Sequence, residues 1–135
     1  MLNPYLITIG NNVTVTGARI LTHDASLYNV IGYSRVGKVV IGDNVFIGKD
    51  AIILPNTIIG NNVIIGAGAV VAKDINDNSV VVGNPCKVIC TYDEYLSKVK
   101  EEMMLFPIVE KYPSQILSDE DSCNILKNKG KGFMK

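Results

Sequence analysis

The chain has no tryptophan, one histidine (His23) and three cysteines (Cys86, Cys90 and Cys123) in 135 residues. A single histidine excludes enzymes that need two or three imidazole ligands to a metal, and no metal is expected. Three cysteines, an odd number, make a disulfide framework improbable and point to a reducing cytoplasm. Charge of one sign is also missing. Thirteen basic and thirteen acidic side chains cancel, so the broad positive field of a nucleic-acid binder is absent. No apolar run approaches the roughly 18 residues that a membrane span requires. Met1 to Gly10 has no basic region followed by an apolar stretch, so it does not read as a signal peptide. What is present is apolar: 47% hydrophobic against 19% charged residues, enough for a packed core in one domain-sized chain.

Repetition dominates the sequence. From Ile41 the blocks IGDNVF, IGKDAI, ILPNTI, IGNNVI, IGAGAV and VAKDIN follow one another. The first position is Ile or Val, the second is mostly glycine, and the fifth is mostly small or β-branched. Upstream, Ile9, Val15 and Leu21 open hexads in the same phase. Downstream, one residue is expected to be lost near Asn78 to Val81, with the phase resuming at Val82 as VGNPCK. A period of six is neither helical nor simple alternation. It predicts a solenoid in which each hexad is a short strand plus a corner and three hexads make one turn of 18 residues. Position one should point inward at the corner, and position five should fill the strand interior. Asn11-Asn12, Asp43-Asn44 and Asn61-Asn62 fall at corners, where Asn and Asp tolerate positive φ. Stacked turns would pair strands in parallel, about 4.8 Å apart.

Two segments interrupt the repeat. Between Ser26 and Ile41, Arg35 to Val40 reads as a degenerate hexad, and about 27–34 reads as an inserted loop carrying Tyr28 and Tyr33. After Cys90 the period changes. Tyr92, Tyr95, Leu96, Val99 and Met103 recur at helical spacing, which predicts an amphipathic helix of about three turns. Pro107 and Pro113 bracket an expected irregular stretch. A second short helix is expected over Glu120 to Lys127, before a glycine-containing tail. Residues 1–90 are thus read as the solenoid domain and 91–135 as a C-terminal helical extension and tail.

The pairing of Ile65-Gly-Ala-Gly-Ala-Val-Val-Ala-Lys-Asp-Ile75 with Gly83-Asn-Pro-Cys-Lys-Val-Ile89 resembles the hexapeptide-repeat acyltransferases. The nearest branch looks like the sugar O-acetyltransferases, including galactoside and maltose acetyltransferases and enzymes that decorate capsular polysaccharides. The resemblance covers about Thr8 to Ile89. It implies an all-β solenoid, a left-handed parallel β-helix, which is an exception to the right-handed crossover rule. It also implies a homotrimer with acetyl-CoA in the groove between neighbouring helices, and a small-molecule or glycan acceptor.

Acetyl transfer to a hydroxyl needs a base, a place for the thioester and donors for the oxyanion. Histidine is the side chain suited to the first task near neutral pH, and His23 also occupies the place that the resemblance gives to the catalytic base. Asp24 has three open readings: orienting the imidazole, contacting the sugar, or making a corner hydrogen bond. For the coenzyme, the resemblance carries over onto Lys49, Ala67, Gly68, Ala72, Lys73 and Lys87. Ala67 and Gly68 offer backbone without bulk, and Lys73 and Lys87 can neutralise phosphates. Relatives often carry Thr for Ala72, Ser for Lys49 and Arg for Cys90, so those contacts differ here. Tyr28 and Tyr33 are candidates for stacking on a sugar face or for bracing the loop. Phe46 reads as a core or subunit-interface aromatic, and Cys86 as a buried hydrophobe.

Several alternatives were open at this level. The same base would serve an N-acyltransferase acting on an amino sugar. The chain begins almost on its first turn, so its acceptor site is expected either to be open enough for a polymer or to belong to a truncated coenzyme A-binding solenoid without catalysis. A trimeric carbonic anhydrase on this fold needs a three-histidine zinc site, which one histidine does not provide. An ice-binding solenoid would need threonines in register, and Thr14, Thr16 and Thr57 are not.

Overall fold

Very short strands, stacked turn upon turn, build the chain as far as Val82. In the computed structural model, which describes residues 3–110, 124 and 127–134, the first strands are β1 (Ile7–Ile9), β2 (Thr14–Val15), β3 (Arg19–Ile20) and β4 (His23–Asp24). A one-turn helix α1 (Tyr28–Ile31) separates β4 from β5 (Arg35–Val36). Then come β6 (Val39–Ile41), β7 (Val45–Ile47), β8 (Ile52–Ile53), β9 (Thr57–Ile59), β10 (Val63–Ile65) and β11 (Val70–Val71). β12 (Ser79–Val82) and β13 (Lys87–Thr91) complete this part. Three ladders result: β1-β6-β9, β2-β7-β10-β12 and β3-β8-β11, parallel throughout. The chain visits them in the same cyclic order on every turn.

The interior follows from the hexads. Ile41, Ile47, Ile53, Ile59, Ile65 and Val71 hold the first position, and all are buried. Val45, Ala51, Thr57, Val63 and Ala69 hold the fifth and are buried too. Burying each Val or Ile stabilises the stack by about 1.5–3 kcal/mol before the entropy of ordering the chain is subtracted. Thr57 is the polar member of this set, and its hydroxyl donates to the Leu54 carbonyl at 2.7 Å.

One corner, between the first and second ladders, is a column of amides. Asn12, Asn44, Asn62 and Asn78 all have positive φ, between 53° and 59°. Asn12 Nδ2 donates to Asn44 Oδ1, and Asn44 Nδ2 donates to Asn62 Oδ1, each at 3.1 Å. Beside them Asp43 Oδ1 accepts the Asn11 N–H, Asn61 Oδ1 accepts the Asp43 N–H, and Asp77 Oδ1 accepts the Asn61 N–H. An ordinary side chain in the left-handed region costs about 1–2 kcal/mol, and each lost hydrogen bond about 1 kcal/mol more. Asn44→Ala should therefore lower the unfolding free energy by roughly 2–3 kcal/mol, read as a shift in urea midpoint. Asn44→Gly, which tolerates the backbone angle, should lower it by less.

Three expectations about phase are corrected. The repeat loses two residues, not one, and it loses them earlier, between Val71 and Ile75. The corner spacing is 18 residues from Asn44 to Asn62 but 16 from Asn61 to Asp77, and Ile59 bridges to Ile75. Asp74 fills the gap, its Oδ1 accepting the Ile58 N–H at 2.8 Å. Val81, buried, takes the inward position, and Val82 faces out. VGNPCK is not a hexad either: the chain reverses there, and β13 runs antiparallel to β12. Only the second half of Arg35 to Val40 keeps the hexad register: β5 pairs antiparallel with β4, whereas Val39, buried, lies opposite Thr57 in the first ladder. Phe46 is 42% exposed, so it is not a core aromatic.

The residues divide into two compact units, Met1–Asp93 and Glu94–Lys135. The expected helix is α2 (Tyr92–Leu105), with none of its residues buried. The stretch after Pro107 is more regular than expected. There β14 (Ile108–Val109) pairs in parallel with β15 (Phe133–Met134) from the tail, and the Lys131 ammonium sits 3.8 Å above the Phe106 ring. The second helix expected over Glu120 to Lys127 lies largely outside the described residues, as does Cys123. No helix among the described residues is long and apolar enough to cross a membrane.

Candidate active site

Matched corners in the first turn are 32 residues apart, against 18 in the next, so one turn carries a 14-residue excursion. The main-chain contacts place it. Gly37 N–H donates to the Thr22 carbonyl at 2.9 Å, closing the root of a hairpin that opens at His23 and ends at Val36. In β4 and β5, His23 lies opposite Val36, and Asp24 opposite Arg35. Gly32, at φ 72°, caps α1 at the tip and lets the chain turn back. Tyr28 and Tyr33 are exposed on this excursion.

Asp24 is held from two sides. Its Oδ1 accepts the Ser26 N–H at 2.9 Å, and its Oδ2 accepts from Arg35 Nη2. The Ser26 N–H and hydroxyl, and then the Arg35 guanidinium, keep its carboxyl below the usual carboxylate range. Among the described residues no hydrogen bond joins Asp24 to the His23 imidazole; the carboxylate bonds Ser26 and Arg35 instead. Thr22, next to His23, is 1% exposed and its Oγ1 has no hydrogen-bond partner among the described residues.

Two cavities open at the corner between the third and first ladders. One, about 660 Å³, is lined by Asp24, Arg35 and Val36 of the hairpin and by Leu54, Pro55, Asn56 and Ala72 of the turns beneath. The other, about 370 Å³, gathers Ala72, Lys73, Pro85, Cys86 and Lys87. Ala72 is common to both. Three of the residues expected to hold the coenzyme thus come together beside the hairpin. Lys49, Ala67 and Gly68 stand at a different corner, between the second and third ladders, where Gly68 N–H donates to the Lys49 carbonyl at 2.8 Å. Gly68, at φ 68°, leaves open space where a Cβ would be.

Cys86 is half-buried and packs against the core. Burial pushes its thiol pKa up, which disfavours the thiolate a nucleophile needs. Arg35, Leu54, Pro55 and Asn56, which no sequence motif marks as functional, also line the larger cavity. Opposite charges at Asp24 and Arg35, flanking a turn with Gly32, were the available signal for Arg35. Among the described residues no three His, Cys, Asp or Glu side chains gather as a metal site.

Two cavities that share a small wall, one under the inserted hairpin and one flanked by two lysines, sit on a stack of hexads. Residues 38–73 match the bacterial transferase hexapeptide family (six repeats), and the chain belongs to the hexapeptide-repeat transferases. It is 47% identical over 103 residues to protein CapG of Staphylococcus aureus, covering 73% of this chain and 60% of that protein. Among solved structures, a maltose O-acetyltransferase from Clostridium difficile 630 superposes with a TM-score of 0.56 at 39% identity, over 64% of this chain and 59% of that one. A galactoside acetyltransferase in complex with coenzyme A superposes with a TM-score of 0.60 at 34% identity, over 67% of this chain and 48% of that one. The chain therefore spans about half to three fifths of the length of these relatives.

Proposed function

We propose that the protein is an acetyl-CoA-dependent O-acetyltransferase that acts on a sugar hydroxyl, with His23 as general base. One observation carries the reading: the cavity lined by Asp24, Arg35 and Val36, whose hairpin opens at His23 although His23 itself is not among the lining residues, and the cavity flanked by Lys73 and Lys87 share Ala72 as a common wall. An acceptor in the first and a coenzyme in the second would meet at a residue with almost no side chain. The likeness to a maltose O-acetyltransferase and to a galactoside acetyltransferase bound to coenzyme A supports the same chemistry. It also supports the finer fold, a left-handed parallel β-helix. In this reading the assembly is a homotrimer in the cytoplasm, and the acceptor is a glycan.

Each residue then has a task. Acetyl-CoA supplies the acyl group when bound. Lys73 and Lys87 neutralise its phosphates as point charges, and Ala72, Ala67 and Gly68 leave room for its pantetheine arm. Lys49 adds a further cation at the second corner. His23 takes the proton of the acceptor hydroxyl as that oxygen attacks, and returns it to the departing thiolate. Tyr28 and Tyr33, exposed on the hairpin, offer ring faces to the sugar, and Asp24 borders the acceptor cavity.

The test is a thermal-shift titration with acetyl-CoA against a free-acetate control. Ligand at 100 times its dissociation constant should add about 2.7 kcal/mol of stability. The Lys73→Ala/Lys87→Ala double variant should weaken binding roughly tenfold or more, and its affinity should depend less on salt. Absence of a saturable shift at millimolar acetyl-CoA would overturn the coenzyme assignment.

A further inference from the structure

The larger cavity has an uneven supply of polar atoms. Val36, Leu54, Pro55 and Ala72 give it apolar walls, and Asp24, Arg35 and Asn56 give it polar groups. The Asp24 carboxylate is already engaged by Ser26 and Arg35. A guanidinium carries five N–H donors in a planar fork, and the contact with Asp24 uses only Nη2. The Arg35 side chain remains 76% exposed. Asp24 therefore fixes one arm of the fork without covering the rest, and the remaining Arg35 N–H groups are open to a ligand.

We propose that Arg35 determines acceptor specificity by binding an oxyanion, a carboxylate or a phosphate, on the sugar that is acetylated. This rests on the sugar acetyltransferase reading above. The fork of an arginine matches both oxyanions with two parallel hydrogen bonds, which a lysine does not provide. Apolar walls suit the C–H face of the sugar ring. The Asp24 contact lowers the entropy cost of ordering Arg35, because one arm of the side chain is already held. Fastening the hairpin is a weak rival role, since exposed ion pairs add little to stability.

The test uses glucuronic acid, glucose 6-phosphate and glucose as probes, followed by the backbone amide resonances of Asp24, Arg35, Val36 and Asn56. At least one acid should bind about tenfold or more tightly than glucose, and which acid does so separates carboxylate from phosphate. Arg35→Gln should erase that preference, and Arg35→Lys should keep part of it. Thermal melting and the Ser26 amide resonance report whether the hairpin survives each substitution. Equal binding of glucose and both acids, acid binding that survives Arg35→Gln, or no response to either acid would each overturn the proposal. A parallel titration with acetyl-CoA, read at Ala72, Lys73 and Lys87, isolates failure of the coenzyme assignment from failure of this one.

Discussion

Replacing His23 with alanine should lower the turnover number for acetyl transfer by about 10²- to 10⁴-fold, the usual contribution of a positioned base. Acetyl-CoA binding should not change, because the lysines assigned to it line the neighbouring cavity rather than the histidine strand. The split between kcat and coenzyme affinity is the informative quantity. A residue that only supported the hairpin would disturb acceptor binding as well, raising KM along with any fall in kcat. Thiol release in an acceptor screen, with His23→Asn as a second variant, measures it. A variant that retained turnover within a factor of a few of the parent would remove His23 from the mechanism. The single histidine makes the experiment clean, since no second imidazole in the same chain can take over.

The other large effect is on stability. Ile65→Ala should cost about 2–5 kcal/mol, and the upper part of that range is expected. Ile65 is fully buried in β10, with Ile47 on one side of it in the ladder and Val81 on the other. Neighbouring turns cannot close on the space left behind. At Gly48 they are already so close that a Cβ would lie 2.5 Å from the Ala67 nitrogen and 2.8 Å from the Gly66 carbonyl carbon. Backbone contacts of that kind hold the spacing of the stack, so the cavity persists. Ile64→Ala is the matched control, one residue away on the opposite face of the same strand. Its cost should be well under half. Urea midpoints for the pair check the direction of both side chains, and equal midpoints would mean that the alternation is wrong.

Hexads made the interior legible because two positions in six carry nearly all of the burial. Ile at position one and Val, Ala or Thr at position five leave little freedom in which side faces in. The phase slip was harder to read for the same reason. Ile75, Val80, Val81 and Val82 are all β-branched and apolar, so several alignments satisfy the pattern equally well. The better marker was polar. Asp77-Asn78 continues the series Asn11-Asn12, Asp43-Asn44 and Asn61-Asn62, and Asn78 has the same positive φ as the others. Aligning those pairs would have revealed the two missing residues at once.

The candidate site was readable in parts. Lysines at 73 and 87 were marked by resemblance, and a lone histidine marked itself. The cavity wall was not, because Leu54, Pro55 and Asn56 belong to a hexad that looks like any other until the hairpin is folded over it. The pairing of Ile108–Val109 with Phe133–Met134 lay beyond reach too. It joins two dipeptides far apart in sequence, with no repeat to announce the partner.

A stack of identical parallel rungs has no natural last member. Each new strand presents the same row of open amides and carbonyls to the next, including a rung from another molecule, and filaments grow by that route. Here the second ladder ends on β13, which runs the opposite way and shifts register between Val80 and Val81. The reversal at Gly83 to Lys87 thus ends the run of parallel pairings in the second ladder, so the last strand does not repeat the geometry of those before it.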